Sequence, residues 1–305
     1  MPSLALATVF STRYRARLAV FAEIFARLHP ELPLFALHLG ERTDEVCAGL
    51  PVRAVSWREM GLRAPESFLF QFEEFGAVNA FKPMLFEHLR DRHGFERAVY
   101  LDSDLLPLGR LDEVFAGLDR HAALLSPHVV EPLGDGYLPP EVPLRQSGVY
   151  NCGFLGLRLD AGTAGFLSWW RQRTERFSYH DKRHELSHEQ TWLDLVPSLV
   201  EGAHVSRDPG ENVGPWNVRG RRPRRLDGRF VVGEPPVPLR YLHMSGIEPH
   251  GPSWLSKHCP DVRAADFPEL VPLVAGYRHA LLEAGDDEWL AKPYEYARFA
   301  DLDQP

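Results

Sequence analysis

Short apolar runs alternate with amphipathic stretches through the first half of the chain. Residues 4–10 and 34–39 are mainly apolar segments of strand length, and residues 52–57 have the composition of a third strand. Between the first two runs, apolar residues recur at the spacing of one helix face, at Leu18, Phe21, Phe25 and Leu28. Pro30 then ends this helix. The strand–helix–strand order predicts a parallel sheet with helices packed on its faces.

The same rhythm continues further along the chain. Strands are predicted at 97–101, 122–126 and 149–158, and helices at 81–93, 111–118, 166–177 and 189–200. A second group of strands is predicted around Trp216, at 230–232 and at 239–244, with mainly helical structure after Phe267. Residues 127–143 are rich in proline and glycine, which predicts a long surface loop. The whole pattern predicts an α/β fold with a mainly parallel sheet, flanking helices and a small second sheet.

Composition limits the partners and the setting. The 305 residues carry a net charge of −8, which argues against nucleic acid as a partner. The three cysteines lie far apart and form no paired motif, so a reducing cytoplasm is the simplest location. The first apolar run lacks a basic segment before it and is interpreted as a core strand, not as a signal peptide. No apolar stretch reaches the length of a membrane helix. Peripheral membrane contact stays open.

The strongest chemical signal is the sequence Asp102-Ser103-Asp104 directly after an apolar strand. In extended chain, residues two apart project to the same side, so both carboxylates can face one ligand. The carboxyl ends of parallel strands are where open α/β sheets bind ligands, and carboxylate oxygens suit Mg²⁺ or Mn²⁺. The plain alternative is a solvated turn in which an aspartate caps a helix.

Further motifs accompany this turn in a definite order. They lie at residues 80–83 (Ala-Phe-Lys-Pro), 148–154, 188–192, 212–217 and 242–246. Together with the Asp-Ser-Asp turn, the set resembles the GT-A-fold glycosyltransferases, a Rossmann-like class. It is most similar to family 8, which includes glycogenin and bacterial lipopolysaccharide galactosyltransferases. It is closer still to uncharacterised bacterial members with an Asn-x-Gly-Phe strand and an Asn-x-x-x-Trp-Asn segment. The resemblance extends from about Leu4 to about Trp254.

The resemblance implies a metal site and a donor site. Asp102 and Asp104 would hold Mn²⁺ or Mg²⁺, His243 would be the third ligand, and Ser103 would lie near the ribose. Lys82 would meet the phosphate or sugar of the donor. The plain alternatives are a hydrogen-bonded core histidine for His243 and a surface lysine for Lys82.

Other positions enter only through the resemblance. Donor contacts are implied at Thr8, Phe10, Thr12, Arg13, Asn151, Gly153, Ser245, Gly246 and Lys257. Asn151 and Gly153 also fit a bulge in a strand. Lys257 is a departure, because family 8 members often place a Lys-Pro-Trp nearer the histidine, and Gly-Pro-Ser-Trp stands at residues 251–254 instead.

Glu189 and Gln190 occupy the place of the Asp-Gln pair of the family and are implied to act near the anomeric carbon. The plain alternative is the first turn of a helix, where acidic residues are favoured. A separate arginine cluster, at Arg219, Arg221, Arg222, Arg224 and Arg225, could meet an anionic acceptor or lipid head groups. It could equally be a solvated loop that balances an acidic protein.

The resemblance as a whole implies an enzyme that moves a hexose from a nucleotide-diphosphate sugar, UDP-linked rather than GDP-linked, to a glycan, a lipid-linked or a small-molecule acceptor, with retention. Residues 1–305 would form one domain: a nucleotide-binding half (1–126), an acceptor and metal-completing half (127–265) and a helical extension (266–305). A sugar nucleotidyltransferase is the first alternative, but no glycine-rich loop follows the first strand. A binding or scaffold protein with a decayed transferase fold is the second, and Asp102, Asp104 and His243 argue against it.

Overall fold

A computed structural model describes residues 4–133, 141–251 and 254–297 of the chain. Its strands, in chain order, are β1 Leu4–Ser11, β2 Leu34–Leu39, β3 Arg53–Ser56, β4 Arg97–Leu101, β5 Leu105–Pro107, β6 Ala123–Pro127, β7 Tyr150–Arg158, β8 His180–Asp181, β9 Leu186–Ser187, β10 Ala203–Val205, β11 Arg224–Leu226, β12 Arg229–Val232, β13 Val237–Pro238, β14 Tyr241–His243, β15 Trp254–Ser256 and β16 Cys259–Arg263.

Helices and short 3-10 turns connect these strands. In chain order the helices are α1 Arg15–Leu28, α2 Thr43–Cys47, α3 Pro65–Phe70, α4 Glu74–Ala80, α5 Lys82–His93, α6 Asp112–Phe115, α7 Glu141–Ser147, α8 Ala161–Phe177, α9 Val196–Leu199, α10 Val218–Arg221, α11 Val271–Glu283 and α12 Asp286–Leu290. None of the described helices is long and apolar enough to cross a membrane.

The central sheet has seven strands in the order β10-β6-β7-β4-β1-β2-β3. Strand β1 lies between β2 and β4 and is parallel to both, and β2 is parallel to β3. Strand β7 is antiparallel to its neighbours β4 and β6. The predicted α/β fold, with a mainly parallel sheet and small additional sheets, is confirmed. Because the carboxyl ends of β1 to β4 share one edge, polar residues that follow these strands are gathered there.

Apolar residues on the two faces of this sheet build two separate cores. Ala7 and Val9 of β1 belong to one, which also holds the fully buried Trp170 of α8. Leu6 and Phe10 point to the other face and pack with helix α1. The alternation along a single strand explains why β1 is buried from end to end, as expected for a central parallel strand.

A two-stranded antiparallel sheet brings the second half of the chain back to the first. Strand β14 pairs with β5 so that His243 lies opposite Leu105 and Leu242 opposite Leu106. The amide of Met244 donates to the carbonyl of Asp104 at 2.9 Å, which extends this pairing by one step. The pairing fixes His243 beside the turn that follows β4.

Two predicted elements differ in the structure. The helix predicted over 189–200 is a 3-10 turn at Thr191–Leu195 followed by the short helix α9, and Pro197 near its start explains why no longer helix forms. The loop predicted over 127–143 ends earlier, since α7 begins at Glu141. Residues 134–140 of that loop, and 298–305 of the predicted C-terminal extension, lie outside the described residues.

We expect Thr8→Val to stabilise the protein by about 1 kcal/mol, because it removes a buried hydroxyl that has no hydrogen-bond partner among the described residues. Valine has nearly the same shape. Thr163→Val is the matched control: that hydroxyl is also fully buried but donates to the carbonyl of Arg158, so its loss should destabilise. Urea unfolding measures both, and a destabilised Thr8→Val would contradict the expectation.

Candidate functional site

Asp102, Asp104 and His243 form a compact cluster at the carboxyl end of β4. The aspartates lie in the turn between β4 and β5, and His243 ends β14. The distance from His243 Nε2 is 3.1 Å to Asp104 Oδ1 and 4.0 Å to Asp102 Oδ2. One ligand atom of each residue lies within 4.8 Å of the other two, which is the spacing of a metal site. The aspartate side chains are partly exposed whereas His243 is buried, so the cluster is open on the carboxylate side.

The ring of His243 is oriented by the segment that precedes β14. Its Nδ1 lies 3.0 Å from the side-chain oxygen of Asn212, and an amide oxygen can only accept, so Nδ1 carries the proton. With Nδ1 protonated, a neutral ring presents the Nε2 lone pair to the space beside the aspartates, as in a metal-binding histidine, whereas a charged ring donates from Nε2 to Asp104. Trp216 packs edge-on against the imidazole at 5.2 Å. Asn217 holds this segment in turn, through its amide donated to the carbonyl of Asn212.

The site needs glycine at position 153. A Cβ atom there would lie 2.4 Å from Cε1 of His243, 2.7 Å from Oδ1 of Asn151 and 2.9 Å from Oδ2 of Asp102. Strand β7 therefore passes directly against the cluster, and its Gly153 carbonyl accepts the amide of Asp102 at 2.8 Å. Only a residue without a side chain lets backbone approach this closely.

Lys82 lies behind the cluster as a buried cation. Its Nζ is 2.7 Å from Oε1 of Glu189 and 3.3 Å from Oδ1 of Asp102, and it lies over the ring of Tyr100 at 4.5 Å. The Tyr100 hydroxyl donates to the same Asp102 oxygen at 2.8 Å. Burial disfavours the charged lysine, but Asp102 and Glu189 outweigh it and hold the pKa of Lys82 well above its ordinary value.

The three clustered residues influence one another's ionisation. Burial lowers the pKa of His243, but the neighbouring Asp104 outweighs burial, so the pKa is raised. Burial raises the pKa of Asp104, but the charge and hydrogen bond of His243 outweigh burial, so the pKa is lowered. Burial dominates at Asp102, whose pKa is raised although Lys82 opposes the shift. His243 and Asp104 therefore form an ion pair within the cluster.

Glu189 and Gln190 both have protein partners. The carboxylate of Glu189, which is 3% exposed, binds Lys82, and its backbone carbonyl accepts the indole N–H of Trp170 at 3.1 Å. The Gln190 amide accepts from the backbone N–H of Cys152 at 2.8 Å and donates to the carbonyl of Ser147 at 2.7 Å. Glu189 thus reaches the cluster through Lys82, and Gln190 ties the start of β7 to the end of α7.

Asn151 faces the cluster with its polar atoms engaged. Its carbonyl oxygen accepts the amide of Gly153 at 3.0 Å, and its nitrogen lies 3.2 Å from Nε2 of His128. Burial lowers the pKa of His128 to about 4, so this imidazole is neutral and can accept. Asn151 therefore shapes the bend of β7 at Gly153.

The side chains of Thr8 and Phe10 do not line the site. Both are buried in the core within β1, at 0% and 1% exposure, so neither can contact a ligand through its side chain. Thr12 is also buried; its hydroxyl donates to the Glu295 carboxylate at 2.7 Å.

Arg13 is partly exposed and lies in an ion pair with Glu74 at 2.6 Å. It also donates to the carbonyl of Leu290 at 3.1 Å. Glu295 and Leu290 near the C-terminus therefore accept hydrogen bonds from Thr12 and Arg13. Both residues were predicted to contact a donor.

The remaining predicted residues lie in the turn after β4, in the loop after β14 and in the turn between β15 and β16. Ser103 lies between the two aspartates and is partly exposed. The carbonyl of Ser245 accepts the hydroxyl of Ser256 at 2.6 Å, and Gly246 has a φ of +69° that favours glycine. Lys257 is half-exposed and its Nζ lies 3.4 Å from Glu248, so the structure directs it towards the surface.

A second group of potential ligands is better explained as an ion-pair network. His29, Glu31 and Asp112 also lie within metal-binding distance of one another. The guanidinium of Arg110 contacts Glu31 at 2.5 Å and Asp112 at 2.6 Å, so a cation already neutralises both exposed carboxylates.

The predicted arginine cluster is largely occupied. Arg219 pairs with Asp261 at 2.7 Å, Arg224 pairs with Glu234 at 2.6 Å, and Arg225 lies over the ring of Phe230. Arg221 is buried.

Comparison with known sequences gives distant relatives. No family model matches the chain. Two uncharacterised proteins of Bacillus subtilis (strain 168) are similar to it. YfnF is 25% identical over 225 residues, which cover 70% of this chain and 72% of YfnF. YfnD is 26% identical over 177 residues, which cover 54% of this chain and 52% of YfnD.

Comparison with solved structures is more informative about the fold. The galactosyltransferase LgtC, in complex with donor and acceptor sugar analogues, superposes with a TM-score of 0.50 over 90% of this chain and 95% of LgtC, at 18% identity. An active-site mutant of LgtC gives 0.51 over 88% and 95%, at 16% identity. The glycosyltransferase GlyE of Streptococcus pneumoniae TIGR4 gives 0.51 over 93% of this chain and 64% of GlyE, at 15% identity. The chain has the fold that these glycosyltransferases share.

Proposed function

We propose that this protein is a metal-dependent glycosyltransferase that moves a hexose from a nucleotide-diphosphate sugar, UDP-linked rather than GDP-linked, to an acceptor. The observation that carries the proposal is the cluster of Asp102, Asp104 and His243 at the carboxyl end of a parallel strand, in a chain with the fold of known glycosyltransferases. That edge of an open α/β sheet is where ligands bind. The acceptor is a glycan, a lipid-linked sugar or a small molecule.

The residues of the cluster suit a small divalent metal. Two carboxylate oxygens and one imidazole nitrogen make a mixed donor set that fits Mn²⁺, with Mg²⁺ as the alternative. Ca²⁺ prefers six to eight oxygen ligands and is less suited. Two features support the same assignment. Gly153 has no side chain that would fill the space beside His243 and Asp102. Asn212 orients the ring of His243 so that Nε2 faces the aspartates. A bound metal would act as a Lewis acid that neutralises charge on the leaving diphosphate.

The protein's own groups position the donor and keep the carboxylates in place. Lys82 anchors Asp102 from behind and so fixes one metal ligand, which is a different role from direct contact with the donor. The backbone of Gly153 offers a surface that the donor sugar can approach. Glu189 is the buried carboxylate nearest to the metal ligands through Lys82, and we assign it and Gln190 to the support of positive charge at the anomeric carbon.

We further propose retention of configuration. An inverting enzyme needs a general base that deprotonates the acceptor, whereas in a retaining one the departing phosphate can take that proton on the same face. The Glu189 carboxylate is engaged by Lys82 at 2.7 Å and is 3% exposed, which disfavours it as a base that meets an incoming acceptor.

A binding protein with a decayed transferase fold remains the alternative from another class. Such a protein would bind a nucleotide-sugar with metal but would not cleave it. Slow metal-dependent hydrolysis of the donor without acceptor separates the two.

We expect Asp102→Asn and Asp104→Asn to weaken Mn²⁺-dependent binding of UDP by more than about 100-fold, since outer partners of metal ligands alone are worth about 10- to 100-fold. Isothermal titration calorimetry with and without EDTA measures this, and hydrolysis of UDP-hexoses should fall in parallel. Mn²⁺ should restore an EDTA-treated enzyme better than Ca²⁺ does. A folded variant that keeps wild-type affinity and turnover would rule out the metal assignment.

Gly153→Ala should abolish Mn²⁺ binding, because the added Cβ would overlap His243 and Asp102. Gly165→Ala, on α8, is the matched control, since its Cβ would meet no atom within 4 Å. Calorimetric titration with Mn²⁺ alone reports the effect, and circular dichroism checks that both variants fold. Equal metal affinity in the two variants would show that β7 does not border the metal.

The product should keep the α configuration of an α-linked donor, and NMR of its anomeric proton tests this directly. Glu189→Gln and Gln190→Ala should both lower kcat with little change in donor affinity, the signature of interactions made mainly in the transition state. A β-linked product, or a loss at Glu189 far greater than at Gln190, would instead favour an inverting base.

A further inference from the structure

Arg17 is a buried guanidinium whose hydrogen-bonding capacity is only partly used. It lies in the first turn of α1 and is 9% exposed. One nitrogen, Nη2, donates to the backbone carbonyl of Ile247 at 3.1 Å, while Nε has no partner among the described residues. A buried charge without a paired anion is unfavourable, so a cation in this state indicates an anion that the protein does not itself supply.

The position of Arg17 directs it to the metal cluster. Helix α1 starts at the carboxyl end of β1, on the same edge of the sheet as the turn after β4. Ile247, which Arg17 contacts, follows His243 by four residues. Burial works against the charge of Arg17, but Tyr277, Asp104 and Asp286 outweigh it and raise its pKa. The guanidinium is therefore charged and within electrostatic reach of a metal ligand.

Asp286 is the acidic residue that could otherwise satisfy Arg17, and it does not do so. It is fully buried, and neither of its carboxylate oxygens has a hydrogen-bond partner in the described part of the chain. Burial raises the pKa of Asp286, which favours its neutral form. Burial raises the pKa of the Tyr277 hydroxyl, and the adjacent guanidinium of Arg17 opposes this shift. Three buried polar groups thus meet at one place, and Arg17 is the cation among them.

The charges around the metal call for one more cation. Asp102, Asp104 and Glu189 carry three negative charges, which Lys82 and a divalent metal together balance. That set is neutral as a whole, so a diphosphate bound to the metal would still add negative charge that the set does not balance. Lys257, the cation expected there from the sequence, is half-exposed and directed to Glu248.

We propose that Arg17 is the residue of this chain that binds the diphosphate of the nucleotide substrate, beside the metal held by Asp102, Asp104 and His243. The inference rests on the proposed function. A planar guanidinium can form two parallel hydrogen bonds to phosphate oxygens, and Arg17 uses Nη2 for a protein hydrogen bond while a small part of its side chain stays accessible. The N-terminus of α1, a helix of 14 residues, adds a favourable field for an anion at the same place.

Calorimetric titration of Arg17→Gln in the presence of Mn²⁺ tests the proposal with UDP, UMP and uridine as probes. Affinity for UDP should fall by about 10- to 100-fold, the range expected for loss of a hydrogen bond to a charged group, whereas uridine should be unaffected. The UDP affinity of Arg17→Lys should lie between those of the wild type and Arg17→Gln, because lysine keeps the positive charge but lacks the planar guanidinium that can bind two phosphate oxygens. Arg15→Gln is the matched control: Arg15 lies on the same turn but bonds to the carbonyls of Val46 and Ala48.

A second variant separates a ligand-binding role from a structural one. If Arg17 only balances Asp286, Asp286→Asn should weaken UDP binding as Arg17→Gln does, and that result would overturn the inference. We expect Asp286→Asn to leave UDP affinity unchanged or to tighten it. If Arg17→Gln does not fold, Arg17→Lys carries the test, and wild-type UDP affinity in it would count against the proposal.

Nucleotide binding by the wild-type protein distinguishes a failure of the proposed function from a failure of the proposed role of Arg17. If the wild type binds neither UDP nor GDP with Mn²⁺, the proposed function fails. If it binds one of them and Arg17→Gln binds it equally well, only the role of Arg17 fails. Should GDP be preferred, GDP, GMP and guanosine replace the uridine series.

Discussion

Lys82 is a cation placed where the carboxylates of Asp102 and Glu189 would otherwise repel each other. Its ammonium group is 1% exposed and lies between Glu189 and Asp102, so the attraction acts in a weakly screened environment. The charge holds Asp102 from the side away from solvent and leaves its second oxygen facing His243. Removing one partner of a buried ion pair destabilises a protein by more than the intact pair stabilises it, because an uncompensated buried charge is left. The geometry of the proposed metal ligands therefore depends on Lys82, which is not one of them.

The site also depends on contacts between parts of the chain that are distant in sequence. The two aspartates come from the first half, but the histidine arrives through the pairing of β14 with β5. The histidine is then oriented by Asn212, which is fully buried. Because a metal-binding residue must be both near and correctly turned, folding of the second half completes a site whose first half is specified locally.

Much of the fold could be predicted from the sequence because buried parallel strands leave a strong apolar signal. The strands β1, β2 and β4 were placed within one residue, since their burial on both faces requires continuous apolar runs. The region after Glu189 was less predictable, because a proline and a run of mixed residues allow a 3-10 turn as readily as a helix. Pairing order, such as β7 antiparallel to β4, depends on long-range packing that periodicity does not record.

The candidate site was predictable to a different extent for different residues. The structure brings Asp102, Asp104 and His243 together, as their motifs indicated. The roles of Tyr100 and Arg17 had no local signal, because a tyrosine in a strand and an arginine in a helix are common and only their burial makes them notable. Thr12 shows the opposite case: the resemblance implied contact with a donor there, yet Glu295, almost three hundred residues later in the chain, accepts its hydroxyl.

The C-terminal segment around Glu295 lies against the carboxyl ends of β1 and β3. Glu295 accepts the hydroxyl of Thr12, and Tyr296 accepts the indole N–H of Trp57 at 2.8 Å. Between the segment and the strand ends lies a cavity of about 900 Å³, lined in part by Trp57 and Trp289. Strands are spaced about 4.8 Å apart, so β2 ends about 10 Å from β4, and the cavity lies beside the ends of β2 and β3, on one side of the Asp102, Asp104 and His243 cluster. With the segment in place, the hydroxyl of Thr12 is bonded to Glu295, so it can donate to a ligand at this edge only if that hydrogen bond is exchanged.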